Sequence, residues 1–201
     1  MLGFITGIGL SGAAGLNAYV PLILVGLLAR FTSVVTLPPA WEWLTDEWLL
    51  AGLGLLLVIE VVADKIPAVD SVNDVIQTLV RPSAGGVVFG AGSASQTFAV
   101  DAPSDVLDTD RWLPIVVGVL IALGVHLLKS SARPAINIAT LGVGGVVVSS
   151  LEDGASAGMT LLALVAPVIA LVALVVALVI AVRLWRRARR RSLRPTPLPS
   201  P

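Results

Sequence analysis

The uncharged stretch AGMTLLALVAPVIALVALVVALVIAV, from Ala157 to Val182, decides the class of protein to which this chain belongs. Its length exceeds the ~20 apolar residues that a helix needs to cross the hydrocarbon core of a bilayer. The whole chain is similarly apolar, since 56% of its 201 residues are hydrophobic and only 13% are charged. An ordinary soluble domain carries about 25% charged residues. The sequence therefore predicts an all-α, polytopic helical membrane protein whose first partner is the lipid bilayer.

Six apolar or semi-apolar segments follow one another along the chain, at about 4–29, 46–64, 71–92, 112–128, 131–150 and 157–183. The segments 71–92 and 131–150 are short and polar and contain Pro and Gly, so we expect them to lie inside a bundle or to re-enter without crossing. We interpret residues 1–184 as one membrane domain, with a weak repeat of two hairpins at 46–92 and 112–150. Residues 185–201 are predicted to form a basic, proline-rich, disordered tail.

The charges suggest an orientation in the membrane. Seven of the thirteen basic residues lie in the last nineteen positions, and basic flanks mark the cytoplasmic side. Six spans then place both termini in the cytoplasm, with the chain in the cell inner (plasma) membrane. Nine of the thirteen acids fall in the outside loops, namely Glu42, Asp46, Glu47, Asp101, Asp105, Asp108, Asp110, Glu152 and Asp153. Because the basic tail is explained as a topology signal, no nucleic-acid partner is predicted.

The content of Cys and His limits the possible chemistry. The chain has no cysteine and a single histidine, which excludes disulfides, thiolate metal sites and a polyhistidine metal cage. We therefore predict no metal and no cofactor. The N-terminus lacks the basic start and cleavage region of a secretory signal, so Met1 onward is expected to be mature protein.

Two polar stripes interrupt the apolar pattern. In EVVADKIPAVDSVNDVIQTLVRP, from Glu60 to Pro82, one helical face carries Asp70, Asp74, Gln77 and Arg81 at i, i+4, i+7 and i+11. A second, basic stripe carries His126, Lys129, Arg133 and Asn137 at similar spacing. An unpaired charge at the bilayer centre costs at least ~2.5–3.5 kcal/mol, so we expect the acids of one hairpin to neutralise the bases of the other.

The candidate substrate-binding or coupling residues are Glu60, Asp64, Lys65, Asp70, Asp74, Arg81, His126, Lys129, Arg133 and Asn137. For Asp64, Lys65 and Asp70 the alternative is a solvated cytoplasmic corner at which Pro67 makes the turn. Glu60, Asp74, Arg81 and His126 fall within the predicted membrane segments, where a polar pathway or ligand site is the default hypothesis.

The first segment, GFITGIGLSGAAGLNAY, is rich in small residues. Gly3 with Gly7 and Ser11 with Gly15 form small-xxx-small steps that favour close helix packing. The alternative is an unwound stretch near Asn17 whose free amides face an anion, as in the broken helices of transporters.

The hypotheses of enzymatic activity depend on short motifs. GLSG, Gly9 to Gly12, matches the nucleophile motif of rhomboid-type intramembrane serine proteases, with Ser11 as nucleophile and His126 as base. The Arg-Pro pairs of acid-phosphatase-like lipid phosphatases are present, but that mechanism needs two histidines. We therefore predict no catalytic residue.

Three blocks of the sequence resemble an uncharacterised family of small bacterial membrane proteins, domain of unknown function 4126. The blocks are LSGAAGLNAYVPLILVGLLAR (Leu10 to Arg30), EVVADKIPAVDSVNDVIQTLVRPSAGG (Glu60 to Gly86) and HLLKSSARPAINIATLGVGGVVVSSLED (His126 to Asp153). The resemblance supports the choice of polar residues and implies no substrate.

The leading hypothesis is a small transporter or channel-like protein for a charged or zwitterionic solute or a lipid headgroup, assembled as a homo-oligomer. Arg81, Lys129 and Arg133 would bind anionic groups, and Glu60, Asp64 and Asp74 would couple protons or cations. The competing class is a non-transporting scaffold or assembly protein whose stripes are structural salt bridges. The third hypothesis is an intramembrane hydrolase.

Overall fold

The computed structural model describes the backbone of residues 1–97, 99–100, 112–140 and 143–192. Within these ranges it describes all side chains except those at positions 67, 68, 70, 71, 132–139, 143, 185 and 187–192.

Helices make up almost all of the described chain, which confirms the predicted all-α fold. The α-helices in the described ranges are α1 (Leu2–Leu16), α2 (Tyr19–Phe31), α3 (Glu47–Ala63), α4 (Pro67–Ala94), α5 (Trp112–Ala139), α6 (Val143–Val165) and α7 (Pro167–Ser192). A 3₁₀ helix covers Pro39–Thr45. The short strands β1 (Val35–Thr36) and β2 (Gln96–Thr97) pair antiparallel.

Local sequence signals begin several of these helices. The Asp46 side chain accepts a hydrogen bond of 2.9 Å from the Leu49 amide and so caps α3. Pro67 and Pro167 begin α4 and α7, where the fixed φ of proline suits the first helical turn and its missing N–H leaves no bond unmade.

Helix α1 is the centre of the bundle and packs closely on its neighbours through small residues. A Cβ on Gly3 would lie 2.6 Å from the Ser93 carbonyl oxygen, and one on Gly7 would lie 2.9 Å from the Phe89 ring. Gly15 is equally tight against Val125 of α5. The prediction that these glycines serve close helix packing is confirmed, because a side chain at any of them would push α1 out of the bundle.

Helices α1 and α2 form a V whose two outer ends lie at the same end of the bundle. The start of α1 lies against Ser93, near the end of α4, and α2 leads into β1, which pairs with β2 just after α4. We call this the loop end. The point of the V, at Asn17, lies deep in the bundle, and we call Asn17 and Ala18 the tip.

The prediction that residues 4–29 form a single span is therefore wrong. The Asn17 backbone is extended, with φ −144° and ψ 124°, and this breaks the helix between two halves of 15 and 13 residues. Each half is shorter than the ~20 residues that a crossing helix needs. Hydropathy alone could not detect the break, because the run from Leu2 to Phe31 is apolar on both sides of it.

Two helical hairpins, α3 with α4 and α5 with α6, pack beside the V. In both hairpins the first helix runs away from the loop end and the second runs back, and the turn at Asp64–Ile66 marks the opposite end, the corner end. The weak repeat of 46–92 and 112–150 stays a prediction.

The helix boundaries differ from two of the predicted segments. Helix α4 continues through Pro82 without interruption, so residues 71–92 contain no turn that would let them re-enter. The predicted segment 131–150 is divided between the end of α5 and the start of α6. At ~1.5 Å per residue, the 28 residues of α4 and of α5 each extend over about 42 Å.

The predicted segment 157–183 is likewise divided, at Ala166. Ala163 of α6 and Ala170 of α7 both lie against Gly9, and Leu174 lies against Gly12. Since α6 approaches Gly9 from the tip of the V, α7 turns back toward the corner end. The described chain therefore begins at the loop end, and α7 runs toward the corner end. The side of the membrane on which each terminus lies stays a prediction.

Part of the predicted basic tail is helical. Helix α7 extends to Ser192, so residues 185–192, predicted as disordered, continue the helix. Residues 193–201 lie outside the described part of the chain.

The outer surface of the bundle is apolar. Large hydrophobic side chains are exposed on several helices, including Leu55, Leu79, Leu120, Leu151 and Ile169. Among the described helices, Trp112–Ser131 and Pro167–Leu184 are long and apolar enough to cross a membrane by length and composition. Contiguous apolar surface of this kind is rare on soluble monomers and is typical of a protein surrounded by lipid.

Candidate functional site

A buried ion pair joins α3 to α4 beside the tip of the V. The Arg81 guanidinium donates a hydrogen bond of 2.8 Å to Oε1 of Glu60, and the two side chains are 1% and 2% exposed. Arg81 also donates through Nε to the Gln77 amide oxygen at 3.3 Å, and through Nη1 to the Gly15 carbonyl at 3.4 Å. A single cation therefore links α3, α4 and the last turn of α1.

A second cation binds the same helix end from the other side. The Lys129 ammonium donates to the Leu16 carbonyl at 2.8 Å and pairs with Oε2 of Glu152 at 2.8 Å. The last carbonyls of a helix have no partner within the helix and carry partial negative charge. Arg81 and Lys129 therefore serve as built-in cations at the C-terminus of α1, each balanced by an acid.

The tip itself is held by Asn17, which turns the chain from α1 into α2. Its side-chain oxygen accepts hydrogen bonds from the amides of Tyr19 (3.0 Å) and Val20 (3.1 Å), and its Nδ2 donates to Asp153 at 2.9 Å. Ser156 of α6 donates to the Ala13 carbonyl at 3.0 Å. Side chains thus supply hydrogen bonds to the backbone around the break, as irregular segments in a membrane require.

Replacing Asn17 with Ala is expected to destabilise the protein by about 1–4 kcal/mol. The variant loses a helix cap, worth ~0.5–2 kcal/mol, and removes a donor from the Asp153 carboxylate. Thermal unfolding in detergent would measure the change. The matched control is Asp46→Ala, which removes an exposed cap from α3 and is expected to cost only the capping term. Equal losses in the two variants would contradict the role of the Asn17–Asp153 contact.

Polar contacts at the corner end connect the two hairpins. Asp64 is buried and accepts hydrogen bonds from Asn73 (2.8 Å) and from Ser149 of α6 (3.2 Å). The exposed Lys65 donates to Ser150 at 3.3 Å. The predicted corner thus has two parts, a buried carboxylate that joins the hairpins and a lysine at the surface.

His126 is fully buried and contacts Thr78 across the α4–α5 interface, with 3.1 Å between Nε2 and the hydroxyl oxygen. The Thr78 hydroxyl donates its one hydrogen to the Asp74 carbonyl at 2.8 Å. Which ring nitrogen of His126 carries the proton depends on the tautomer of the imidazole. Nδ1 has no hydrogen-bond partner among the described residues.

The ion pairs that join described side chains in the interior lie within the hairpins. Both buried ion pairs in the described part of the chain form within a hairpin, Glu60 with Arg81 and Lys129 with Glu152, rather than between hairpins. The contacts between hairpins that involve described side chains include hydrogen bonds at His126, Ser149 and Ser150. The reason is geometric: α3 and α4 bring residues 60 and 81 to the same level, next to Gly15.

Seven of the ten predicted site residues have described side chains, and these lie around the tip, along α4 or at the corner. Asp74 lies one turn before Thr78 on α4 and is half-buried. The predicted side chains of Asp70, Arg133 and Asn137 lie outside the described residues.

The hydrolase alternative finds no support in the position of its residues. The buried Ser11 hydroxyl lies 2.9 Å from the carbonyl oxygens of both Gly7 and Gly85, in the α1–α4 packing interface. His126 contacts Thr78 instead. Serine and histidine therefore have separate partners in this conformation and do not form a dyad.

The family described as Domain of unknown function (DUF4126) matches residues 4–187. The chain belongs to this family. The match spans α1 through most of α7 and so includes every residue of the site. Comparisons with curated proteins and with solved structures gave no match.

In this DUF4126 chain, sequence reasoning placed Glu152 and Asp153 in an outside loop, and that placement is wrong. Both lie within α6, where they face Lys129 and Asn17. A detectable signal existed, since Ser149, Asp153, Ser156 and Thr160 follow i, i+4, i+7 and i+11 spacing. The two acids were assigned to a loop because they precede Gly154 and an apolar run that was predicted as a separate segment.

The described side chains do not form a metal-binding site. Among the residues whose side chains are described, no group of three or more His, Asp or Glu is placed to hold a metal ion. The carboxylates of the site can exchange protons. Its two cations, Arg81 and Lys129, can exchange hydrogen bonds between those carboxylates and the carbonyls at the end of α1.

Proposed function

We propose that this protein is a multi-pass membrane carrier for a small charged or zwitterionic solute or a lipid headgroup, with its site at the tip of the α1–α2 V. One observation carries the proposal. A helix is broken in the interior, and its free carbonyls are bound by Arg81 and Lys129 from two different helices. Broken helices that end at ionisable groups are the usual binding sites of secondary transporters.

The arrangement supports coupling to protons. Oε2 of the buried Glu60 has no hydrogen-bond partner among the described residues, so this carboxylate has an open position for a proton. Protonation would remove the charge that holds Arg81 and free the guanidinium for an anionic group of the solute. Protonation of Glu152 would likewise free the Lys129 ammonium on the other side of the tip.

The proposal places the protein in the plasma membrane with the corner end in the cytoplasm. Lys65 and the arginines near the end of α7 lie toward the corner end, and basic residues favour the cytoplasmic side. The N-terminus is then outside and the C-terminus inside. Assembly as a homo-oligomer stays a prediction.

Solute-dependent proton flux tests the carrier. Purified protein is reconstituted into liposomes that contain a pH-sensitive dye, and free amino acids, inorganic phosphate and phosphocholine are added outside in turn. We expect at least one of these solutes to move protons in the wild type, and Glu60→Gln to reduce the rate to that of empty liposomes. The exposed Glu42→Gln is the matched control and should keep the wild-type rate. Equal flux in Glu60→Gln and wild type would contradict the role of Glu60.

A scaffold is the second candidate, because the Arg81 side chain is almost completely buried and binds three acceptors, as a structural cross-link would. A scaffold predicts no flux with any solute. It also predicts that the exchange Glu60→Arg with Arg81→Glu restores the melting temperature that either single change lowers. A carrier with this exchange would recover stability but not flux.

A further inference from the structure

An apolar cleft of about 370 Å³ opens between α2, the 3₁₀ helix, α3 and α4. Its lining includes Trp43 of the 3₁₀ helix, Tyr19 beside the tip, and Leu22, Leu53 and Val87. Ser83 also lines the cleft, and its hydroxyl already donates to the Leu79 carbonyl at 2.8 Å. Water in this cleft would find few polar partners, so hydrocarbon is the suitable occupant.

The cleft opens sideways onto the apolar outer surface of the bundle. Leu79, on its rim, is 76% exposed, and Trp43 is 48% exposed. In a bilayer the exposed Leu79 side chain would face hydrocarbon, which would give acyl chains direct lateral access to the cleft. Along α4 the lining runs from Leu79 to Val87, which at ~1.5 Å per residue gives a length of about 12 Å.

We propose that this cleft holds one acyl chain of a membrane phospholipid, with the glycerol and headgroup at the Trp43 end and the chain directed toward Tyr19. Trp43 belongs to the 3₁₀ helix at the loop end, and tryptophan is enriched at the level of lipid headgroups. Tyr19 lies at the depth of the buried ion pair. The orientation of the cleft therefore matches that of a lipid in the adjacent leaflet.

An acyl chain in the cleft touches the network at the tip. Tyr19 is the first residue of α2, directly after the tip, and its amide donates to the Asn17 side chain at 3.0 Å. The bound lipid therefore supports the side of the V that faces away from α1. This inference does not rest on transport, since a scaffold would bind the lipid equally well.

Photo-crosslinking to the wild-type protein tests the site. The protein is reconstituted with phosphatidylcholine that carries a diazirine within one acyl chain, irradiated, and mapped by peptide mass spectrometry. We expect modified Tyr19 or Leu22, which are buried and can be reached only from inside the cleft. Modification confined to outward side chains such as Leu79 and Val172 would overturn the proposal, because ordinary contact with bulk lipid produces that pattern.

A cleft-filling variant gives the second measurement. Ser83 is exposed, so Ser83→Trp can place an indole in the cleft without entering the packed core. We expect crosslinking at Tyr19 and Leu22 to fall at least tenfold in this variant, while crosslinking at Val172 stays unchanged. The control Val172→Trp, on the exposed face of α7, should keep crosslinking at Tyr19. Undiminished crosslinking at Tyr19 in Ser83→Trp would overturn the proposal, and the wild-type map decides the question if that variant fails to fold.

Discussion

The variant Arg81→Met is expected to lose about 3–5 kcal/mol of folding stability. The change leaves the Glu60 carboxylate buried at 2% exposure without its cation, and an uncompensated buried charge costs this much. It also removes the donor that Gln77 and the Gly15 carbonyl share. Folded yield and thermal unfolding in detergent would measure the loss.

Two further variants distinguish the cost of leaving a buried charge unpaired from the cost of losing any arginine. Arg30→Met removes an ion pair with Glu47 whose side chains are 36% and 78% exposed, and it should cost no more than about 1 kcal/mol. In the double variant Glu60→Leu with Arg81→Met, both charges are gone, and we expect stability to recover above that of Arg81→Met alone. A melting temperature for Arg81→Met equal to that of Arg30→Met would show that the Glu60–Arg81 pair is not buried as described.

The second large effect is expected for Gly85→Ala, at the crossing of α4 and α5. A Cβ at this position would overlap the Cβ of Ala122 and lie 2.8 Å from the Gly118 carbonyl oxygen. Because backbone and a short side chain cannot move aside, the two helices must separate, and overpacking of this kind costs about 1–3 kcal/mol. Ser11, which contacts the Gly85 carbonyl at 2.9 Å, would be displaced as well. Thermal unfolding in detergent would measure the change.

Gly158→Ala is the matched control on α6. No atom lies within 4 Å of a Cβ built at Gly158, so the same substitution meets open space there. Alanine favours the helix by up to ~1 kcal/mol over glycine, and we expect this variant to melt at or above the wild-type temperature. If Gly85→Ala also melted at or above the wild-type temperature, the close approach of α4 and α5 would be contradicted.

Much of the helical plan could be read from the residues. The apolar runs predicted helices close to α3 and to the first part of α5, and the glycine spacing of the first segment predicted close packing. The polar stripe of α4 was also correctly placed on one helix. These features depend on neighbours within a few turns, and short-range periodicity records them.

Two of the boundaries that failed involve breaks that long-range contacts stabilise. The break at Asn17 persists because Asp153, Ser156 and Lys129 satisfy its backbone and side chain, and these residues are more than 100 positions away. The turn at Ala166 similarly depends on packing of α6 and α7 against Gly9. Hydropathy shows one apolar run at both places.

The sequence established that the chain is helical and apolar, that it carries polar stripes on its inner helices, and that thiolate and polyhistidine metal chemistry is excluded. Only the tertiary structure decided which charges meet. Glu60 and Arg81 are 21 positions apart, and their pairing depends on how α3 returns against α4 beside the last turn of α1. A charge pattern gives the sign and the spacing of groups along one helix, but the free energy of an ion pair depends on the distance between helices and on burial, which packing alone sets.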